Sequence, residues 1–265
     1  MESQALRTLA IRAAHDAGTM LKAHFGRKQT YREKTNSADL VTEFDHRSEE
    51  IIVKKIQERF PEHDILTEEG RSRVENSPYR WIIDPIDGTT NFAHGFPIFC
   101  VAIGLESQQE MQLGVVYLPI LEELFVAERG HGAWLNNERI LVSHSDQLAK
   151  SLLIGSSPHD RNLLELNLKL FDRFVRASHN VLRIGSAAAS LCHVAAGRVD
   201  GYWGLILQPW DLAAASLILQ EAGGTITNFK NEPINIYGRE TMATNGKIHG
   251  EMLKILNEEM STKGA

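Results

Sequence analysis

The chain has 265 residues, 43% of them apolar, and a formal charge of −6. The apolar share suffices for a sizeable core, in one domain or two joined halves, and the acidic balance argues against generic nucleic-acid binding, which needs a basic surface. Cys100 and Cys192 stand apart in apolar surroundings without metal or redox spacing and read as buried free thiols, and the 11 histidines form no zinc pattern.

From Gln4 to Phe25, Leu6, Leu9, Ala10, Ala13, Ala17, Met20 and Leu21 recur at helical spacing, and Gly26 ends the run. Arg7, Arg12, Asp16 and Lys22 interrupt it, so it is no signal peptide. No run is apolar for long enough to span a bilayer, and a cytoplasmic location is expected. A second helix is expected from Thr42 to Phe60, before Pro61. Thr42 and Asp45 have capping-box spacing, with Asp where Glu or Gln is usual. Ile65-Leu66 leads to the acidic pair Glu68-Glu69, then to a polar loop ending at Tyr79.

Trp81-Ile82-Ile83 reads as a buried strand, running into Asp84-Pro85-Ile86-Asp87-Gly88-Thr89-Thr90-Asn91-Phe92. Beyond it, Ile98 to Leu105, Gln112 to Leu118 and Leu124 to Glu128 read as antiparallel strands, with a turn at Asn136-Asn137. From Ser151 helices and strands alternate. A strand to Ile154 precedes a helix from about Asp160 to Val175, a short strand near Val181 and a helix from Ala187 to Ala196. A strand at Val199 to Trp203, a helix from Asp211 to Gly223-Gly224, a strand at Thr225 to Thr227 and a helix at His249 to Glu259 complete the chain. The fold class is α+β, mixed α/β. We expect one domain over residues 1–265, in two packed halves of about 1–145 and 146–265.

Asp84 and Asp87 carry the first chemical signal. Two carboxylates at one strand end, with no lysine or arginine between them, call for cations, and hard oxygen donors suit Mg²⁺ or Mn²⁺. Asp-Pro and Asp-Gly are also common turn dipeptides, but a turn does not explain why a buried strand ends in two acids. The second signal is Pro209-Trp210-Asp211-Leu212-Ala213-Ala214, where Asp211 taken alone reads as a helix N-cap.

Asp84-Pro85-Ile86-Asp87-Gly88-Thr89-Thr90-Asn91-Phe92 and Trp210-Asp211-Leu212-Ala213-Ala214 together resemble the two signature segments of the inositol monophosphatase family, in the right order. The resemblance covers nearly the whole chain. It implies layered αβαβα architecture, usually a homodimer. It also implies lithium-sensitive, Mg²⁺-dependent hydrolysis of a small phosphomonoester by a metal-activated water. Two or three Mg²⁺ ions are expected, with Mn²⁺ as a possible substitute. By the same resemblance the metal ligands are Glu68, Asp84, Asp87, Asp211 and the carbonyl of Ile86. Glu68, Thr89 and Asp45 are the catalytic residues: Glu68 helps position the attacking water, and Thr89 paired with Asp45 holds it in line. The substrate contacts fall on Ile86, Asp87, Gly88, Thr89, Thr90, Arg183, Ser186, Ala187 and Asp211. Lys34 matches a family lysine near the metals, and Ser156-Ser157 matches a pocket-lining segment.

Family members acting on inositol phosphate commonly carry Glu seven residues before the Trp-Asp aspartate, and here that position is Gly204. Loss of a hydroxyl-binding partner relaxes selectivity. Inositol 1-phosphate is therefore the first expectation, beside fructose 1,6-bisphosphate, histidinol phosphate and 3′-phosphoadenosine nucleotides. A regulatory protein that contacts the transcription machinery is the alternative class. The lack of a Walker A or G-x-G-x-x-G sequence removes a nucleotide-binding reading.

Overall fold

The expected helices and the Asp84 strand occur, set in two sheets. The computed structural model describes residues 2–27, 31–33, 40–72, 74, 77–156, 158 and 160–261; Lys34 and Ser157 lie outside them. Helix α1 (Glu2–His24) is followed by β1 (Tyr31–Glu33), which pairs antiparallel with β2 (Leu40–Thr42). Thr42 ends β2 and caps α2 (Glu43–Arg59). Its hydroxyl accepts from the Phe44 N–H at 3.1 Å, and Asp45 reaches back to accept the Thr42 N–H at 2.7 Å. This is the capping box read from the sequence, with Asp serving in place of Glu.

The first sheet contains β3 (Asp64–Thr67), β4 (Arg71–Ser72), β5 (Arg80–Asp87), β6 (Cys100–Ser107), β7 (Glu110–Leu118), β8 (Glu123–Glu128), β9 (Ala133–Leu135) and β10 (Glu138–Ile140). Their spatial order is β10-β9-β8-β7-β6-β5-β3-β4. All neighbours pair antiparallel except β3 and β5. A short helix, α3 (Thr89–His94), leaves the end of β5. The second sheet has the order β12-β11-β13-β15-β14. Its elements in chain order are β11 (Leu152–Gly155), α4 (Leu164–Ala177), β12 (Asn180–Leu182), α5 (Ala187–Ala195), β13 (Gly201–Leu205), α6 (Pro209–Glu221), β14 (Thr225–Thr227), β15 (Glu240–Thr244) and α7 (His249–Ser261).

Side-chain alternation fixes the layers. Trp81, Ile83, Ile103 and Val115 face a core shared with α1 and α2. Their neighbours Ile82, Ala102 and Val116 face the opposite way, onto α5 and α6. Tyr202 and Ala243 close that second core from the other sheet, whose far side carries Leu153, Trp203 and Met242 against α4 and α7. The result is αβαβα, as the resemblance implied. Helix α6 is buried all round, from Leu212 to Leu219, as a helix between two sheets must be. Gly104 and Gly114 are cross-strand partners on β6 and β7. A Cβ on Gly114 would overlap the Ala214 carbonyl, and one on Gly104 would come 2.9 Å from the Ala213 Cβ and 3.1 Å from the Ala214 nitrogen, so their bareness sets how closely α6 lies on the sheet.

Candidate active site

Strand β5 carries the acids, and a bulge aims them. Residues i and i+3 of a regular strand point to opposite faces. Pairing with β6 runs regularly to Asp84↔Ala102 and resumes at Asp87↔Cys100, so Pro85 and Ile86 stand opposite Val101 alone. The extra residue turns Asp87 to the same face as Asp84. Pro85 is tolerated there because a bulge needs no ladder N–H. Ile86 is buried on the side of α1 and α2, and the Ser48 hydroxyl donates to the Pro85 carbonyl at 2.8 Å.

Asp211 comes from the opposite side. It is not the N-cap that the sequence alone pointed to. Gln208 is the N-cap, Pro209 holds the first helical position, and Asp211 is the third residue. Its carboxylate reaches back to accept the Gln208 N–H at 2.7 Å. The N-cap expectation failed because proline takes the first turn so well, which moves the helix start two residues upstream. Asp84, Asp87 and Asp211 each bring one carboxylate oxygen within 4.8 Å of the others. Asp84 is 1% exposed and Asp87 7%.

Their hydrogen bonding is unequal. Asp84 accepts the Ile86 N–H at 3.0 Å. Asp87 takes the Ser186 hydroxyl at 2.6 Å, the Ala188 N–H at 2.6 Å and the Ala187 N–H at 3.2 Å. It therefore sits at the N-terminus of α5, where amide dipoles favour an anion. Burial, with the nearby charges of Glu68, Asp87 and Asp211, pushes the Asp84 carboxyl well above the usual range. Burial and Asp87 do the same to Asp211. Burial raises Asp87 against the opposing pull of Ser186 and Ala188. No lysine, arginine or histidine among the described residues forms an ion pair with the three. Buried carboxylates so placed stay ionised only with a cation between them. An all-oxygen donor set fits Mg²⁺.

Around this trio stand the other residues singled out. Thr89 opens α3 next to Gly88. Its hydroxyl has Asp45 Oδ1 and the Ile86 carbonyl as acceptors, both at 3.0 Å. Asp45 is fully buried. Gly88 has φ +98°, and a Cβ would come 3.1 Å from the Ile98 carbonyl and 3.3 Å from that of Gly185, so only glycine serves. Thr90 is exposed. The Glu68 N–H donates to the Ile83 carbonyl at 3.3 Å, which sets Glu68 beside β5. It lies outside the tight carboxylate group, yet its charge reaches Asp84 and Asp211. Ser186 and Ala187 bind Asp87, while Arg183 is exposed. The Ser156 hydroxyl accepts the Leu205 N–H at 3.4 Å.

Three further residues had no assigned role. The Asn91 amide donates to the Ile98 carbonyl at 2.6 Å and the Ile184 carbonyl at 2.7 Å, which ties α3 to the segment before α5. Cys100 lies 3.7 Å from Asp87 Oδ2 as a weak donor. Tyr202 is buried near Asp87 and Asp211. Asn91 lies in the first signature segment, but its partner is 93 residues away, and local sequence carries no sign of that.

Residues 2–261 match the family described as the inositol monophosphatase family. An inositol-1-monophosphatase from Synechocystis is 43% identical over 250 residues, covering 94% of this chain and 87% of the relative. A protein from Thermotoga maritima named fructose-1,6-bisphosphatase/inositol-1-monophosphatase is 37% identical, covering 96% of this chain and 97% of the relative. The crystal structure of the extragenic suppressor protein suhB from Bartonella henselae superposes with a TM-score of 0.91 at 36% identity, covering 95% of this chain and 98% of that one.

Proposed function

Because this chain belongs to the inositol monophosphatase family and is a phosphoric monoester hydrolase, we propose that it hydrolyses a small phosphorylated polyol, inositol 1-phosphate first. The observation that carries the reading is the convergence of Asp84, Asp87 and Asp211, with no cationic side chain among the described residues paired to them. These residues, Glu68 and the Ile86 carbonyl would hold two or three Mg²⁺ ions, with Mn²⁺ as a substitute. Bound there, Mg²⁺ offsets phosphate charge and acidifies water.

The chain's own groups do the rest. Asp45 accepts a hydrogen bond from the Thr89 hydroxyl, which leaves the lone pairs of the Thr89 oxygen to accept from the attacking water. Holding that water in line with phosphorus is a positioning contribution. The N–H groups of Gly88, Thr89 and Thr90 bind phosphate oxygens beside Ile86 and Asp87, and Arg183, Ser186, Ala187 and Asp211 border the leaving group. No side chain is phosphorylated, because every acid of the site is engaged as a ligand or positioning group.

The same reading makes residues 1–265 one domain with halves of about 1–145 and 146–265, dimeric and cytoplasmic. Fructose 1,6-bisphosphate is a second substrate candidate, since a relative is named for both activities and Gly204 offers no side chain to select a cyclitol. The test is phosphate release from a panel of phosphomonoesters with Mg²⁺, with and without Li⁺, against Asp87→Asn. Lithium-sensitive turnover that the variant lacks is expected. A wild type no faster than the variant on every substrate overturns the reading.

A further inference from the structure

Two buried hydroxyls flank Gly204 on β13. Tyr202 lies two residues before it, and Thr241 is its cross-strand partner on β15. Residues two apart on a strand, and residues directly opposite across a ladder, share a face. Here that face is the one Tyr202 turns toward α6. Tyr202 is 1% exposed and Thr241 0%, and neither hydroxyl has a hydrogen-bond partner among the described residues. Ser156 lies beside the Tyr202 hydroxyl but outside hydrogen-bond geometry. Orphaned buried hydroxyls are costly, and two beside one bare glycine need an explanation.

Their surroundings supply one. Strand β13 leads directly into α6, whose first turn carries Asp211, and the charges of Asp211 and Asp87 reach the Tyr202 hydroxyl. A Cβ on Gly204 would come 2.8 Å from this hydroxyl and 2.7 Å from Leu207 Cδ1. Leu207 thus covers the place where the hydroxyl could meet a ligand. It is partly exposed, and it follows Ile206, whose φ is +53°. A β-branched residue avoids this left-handed conformation.

We propose that Tyr202 and Thr241 form a leaving-group subsite that binds a hydroxyl of the substrate's polyol, uncovered when Leu207 swings out. This rests on the phosphomonoesterase reading and adds a polyhydroxylated leaving group to it. Both residues are specificity determinants, with no part in the chemical step.

The test compares inositol 1-phosphate with phenyl phosphate, whose leaving group carries no further hydroxyl, on the Mg²⁺-loaded full chain. In Tyr202→Phe and Thr241→Val the ratio of kcat/KM for inositol 1-phosphate to that for phenyl phosphate should fall about tenfold, the worth of one hydrogen bond, through KM. Leu207→Ala should raise the ratio. Tyr202→Phe deletes a buried hydroxyl without a partner, so its melting temperature should hold or rise. A ratio unchanged in both hydroxyl variants overturns the subsite, as does a fall matched by lost stability. Wild-type protein that hydrolyses neither ester overturns the phosphatase reading, and the subsite with it.

Discussion

The Thr89 hydroxyl donates to Asp45 Oδ1 at 3.0 Å, while Asp45 Oδ2 accepts the Thr42 N–H and hydroxyl, both at 2.7 Å. One carboxylate therefore caps α2 and orients a group in the site. The two tasks separate by mutation. Thr89→Val keeps the shape and removes the hydroxyl, so kcat should fall about 100-fold, as for a lost positioning group, with KM nearly unchanged and a smaller loss of stability than in Asp45→Ala, since Asp45 keeps its bonds to Thr42. Asp45→Ala should also cost about 1–3 kcal/mol of stability, because the buried Thr42 N–H loses its acceptor. Steady-state kinetics beside urea titration distinguish the two.

The metal-free protein should lose stability as pH rises. Burial and the neighbouring carboxylates raise the carboxyl pKa values of Asp84 and Asp211 well above the usual range. A raised acid binds more protons folded than unfolded, so its contribution is complete below about pH 4, the unfolded pKa, and is lost as pH climbs through the folded value. Mg²⁺ binds the ionised form, so its stabilising effect should grow over the same interval. Melting curves from pH 4 to 8, in chelator and in Mg²⁺, check the sign; a chelated protein that gains stability across that interval contradicts it.

Asp84→Asn should raise the metal-free melting temperature at pH 8. The amide oxygen can still accept the Ile86 N–H, while one charge of the repelling group is gone. The same change should abolish turnover and the thermal response to Mg²⁺. Differential scanning calorimetry with and without Mg²⁺ reads both effects.

Asn91→Ala should cost about 2–3 kcal/mol, since the Ile98 and Ile184 carbonyls each lose an amide donor. It should also weaken Mg²⁺ binding, because the segment after Ile184 leads to the groups that hold Asp87. Chemical denaturation and a Mg²⁺ titration of melting temperature measure the two losses. Loss of stability with unchanged metal response would confine Asn91 to the fold.

Much of this was legible along the chain, for identifiable reasons. The long helices declare themselves by periodicity, the Trp81 to Ile83 strand by its apolar run, and the capping box of Thr42 and Asp45 is local chemistry. Strand β13 was expected at Val199 to Trp203 and runs from Gly201 to Leu205, because a short apolar run fixes no ends. Strands β9, β10 and β15 and the pairing of β1 with β2 were not anticipated; three to five residues give too few periods to stand out. Asp84 and Asp87 were read as acids for a cation, and Asp211 only through the family resemblance. The bulge that turns Asp87 onto the face of Asp84 was invisible, since it depends on register against Cys100 and Ala102. Likewise the roles of Ser186, Ala188 and Asn91 are contacts across 90 residues or more.

The bare pair Gly104 and Gly114, on which Ala214 rests, has a bearing on which ion the protein prefers. Asp211 rides at the start of the same helix, so the standoff between α6 and the sheet fixes the gap it closes with Asp84. Mg²⁺ demands oxygen at about 2.0–2.1 Å in near-octahedral order, whereas Ca²⁺ accepts about 2.3–2.6 Å and looser geometry. A methyl on Gly114 would overlap the Ala214 carbonyl, so helix or strand would have to shift to admit it. Any discrimination between the two cations would in this sense be set by the floor beneath a helix, among atoms that would never touch the metal.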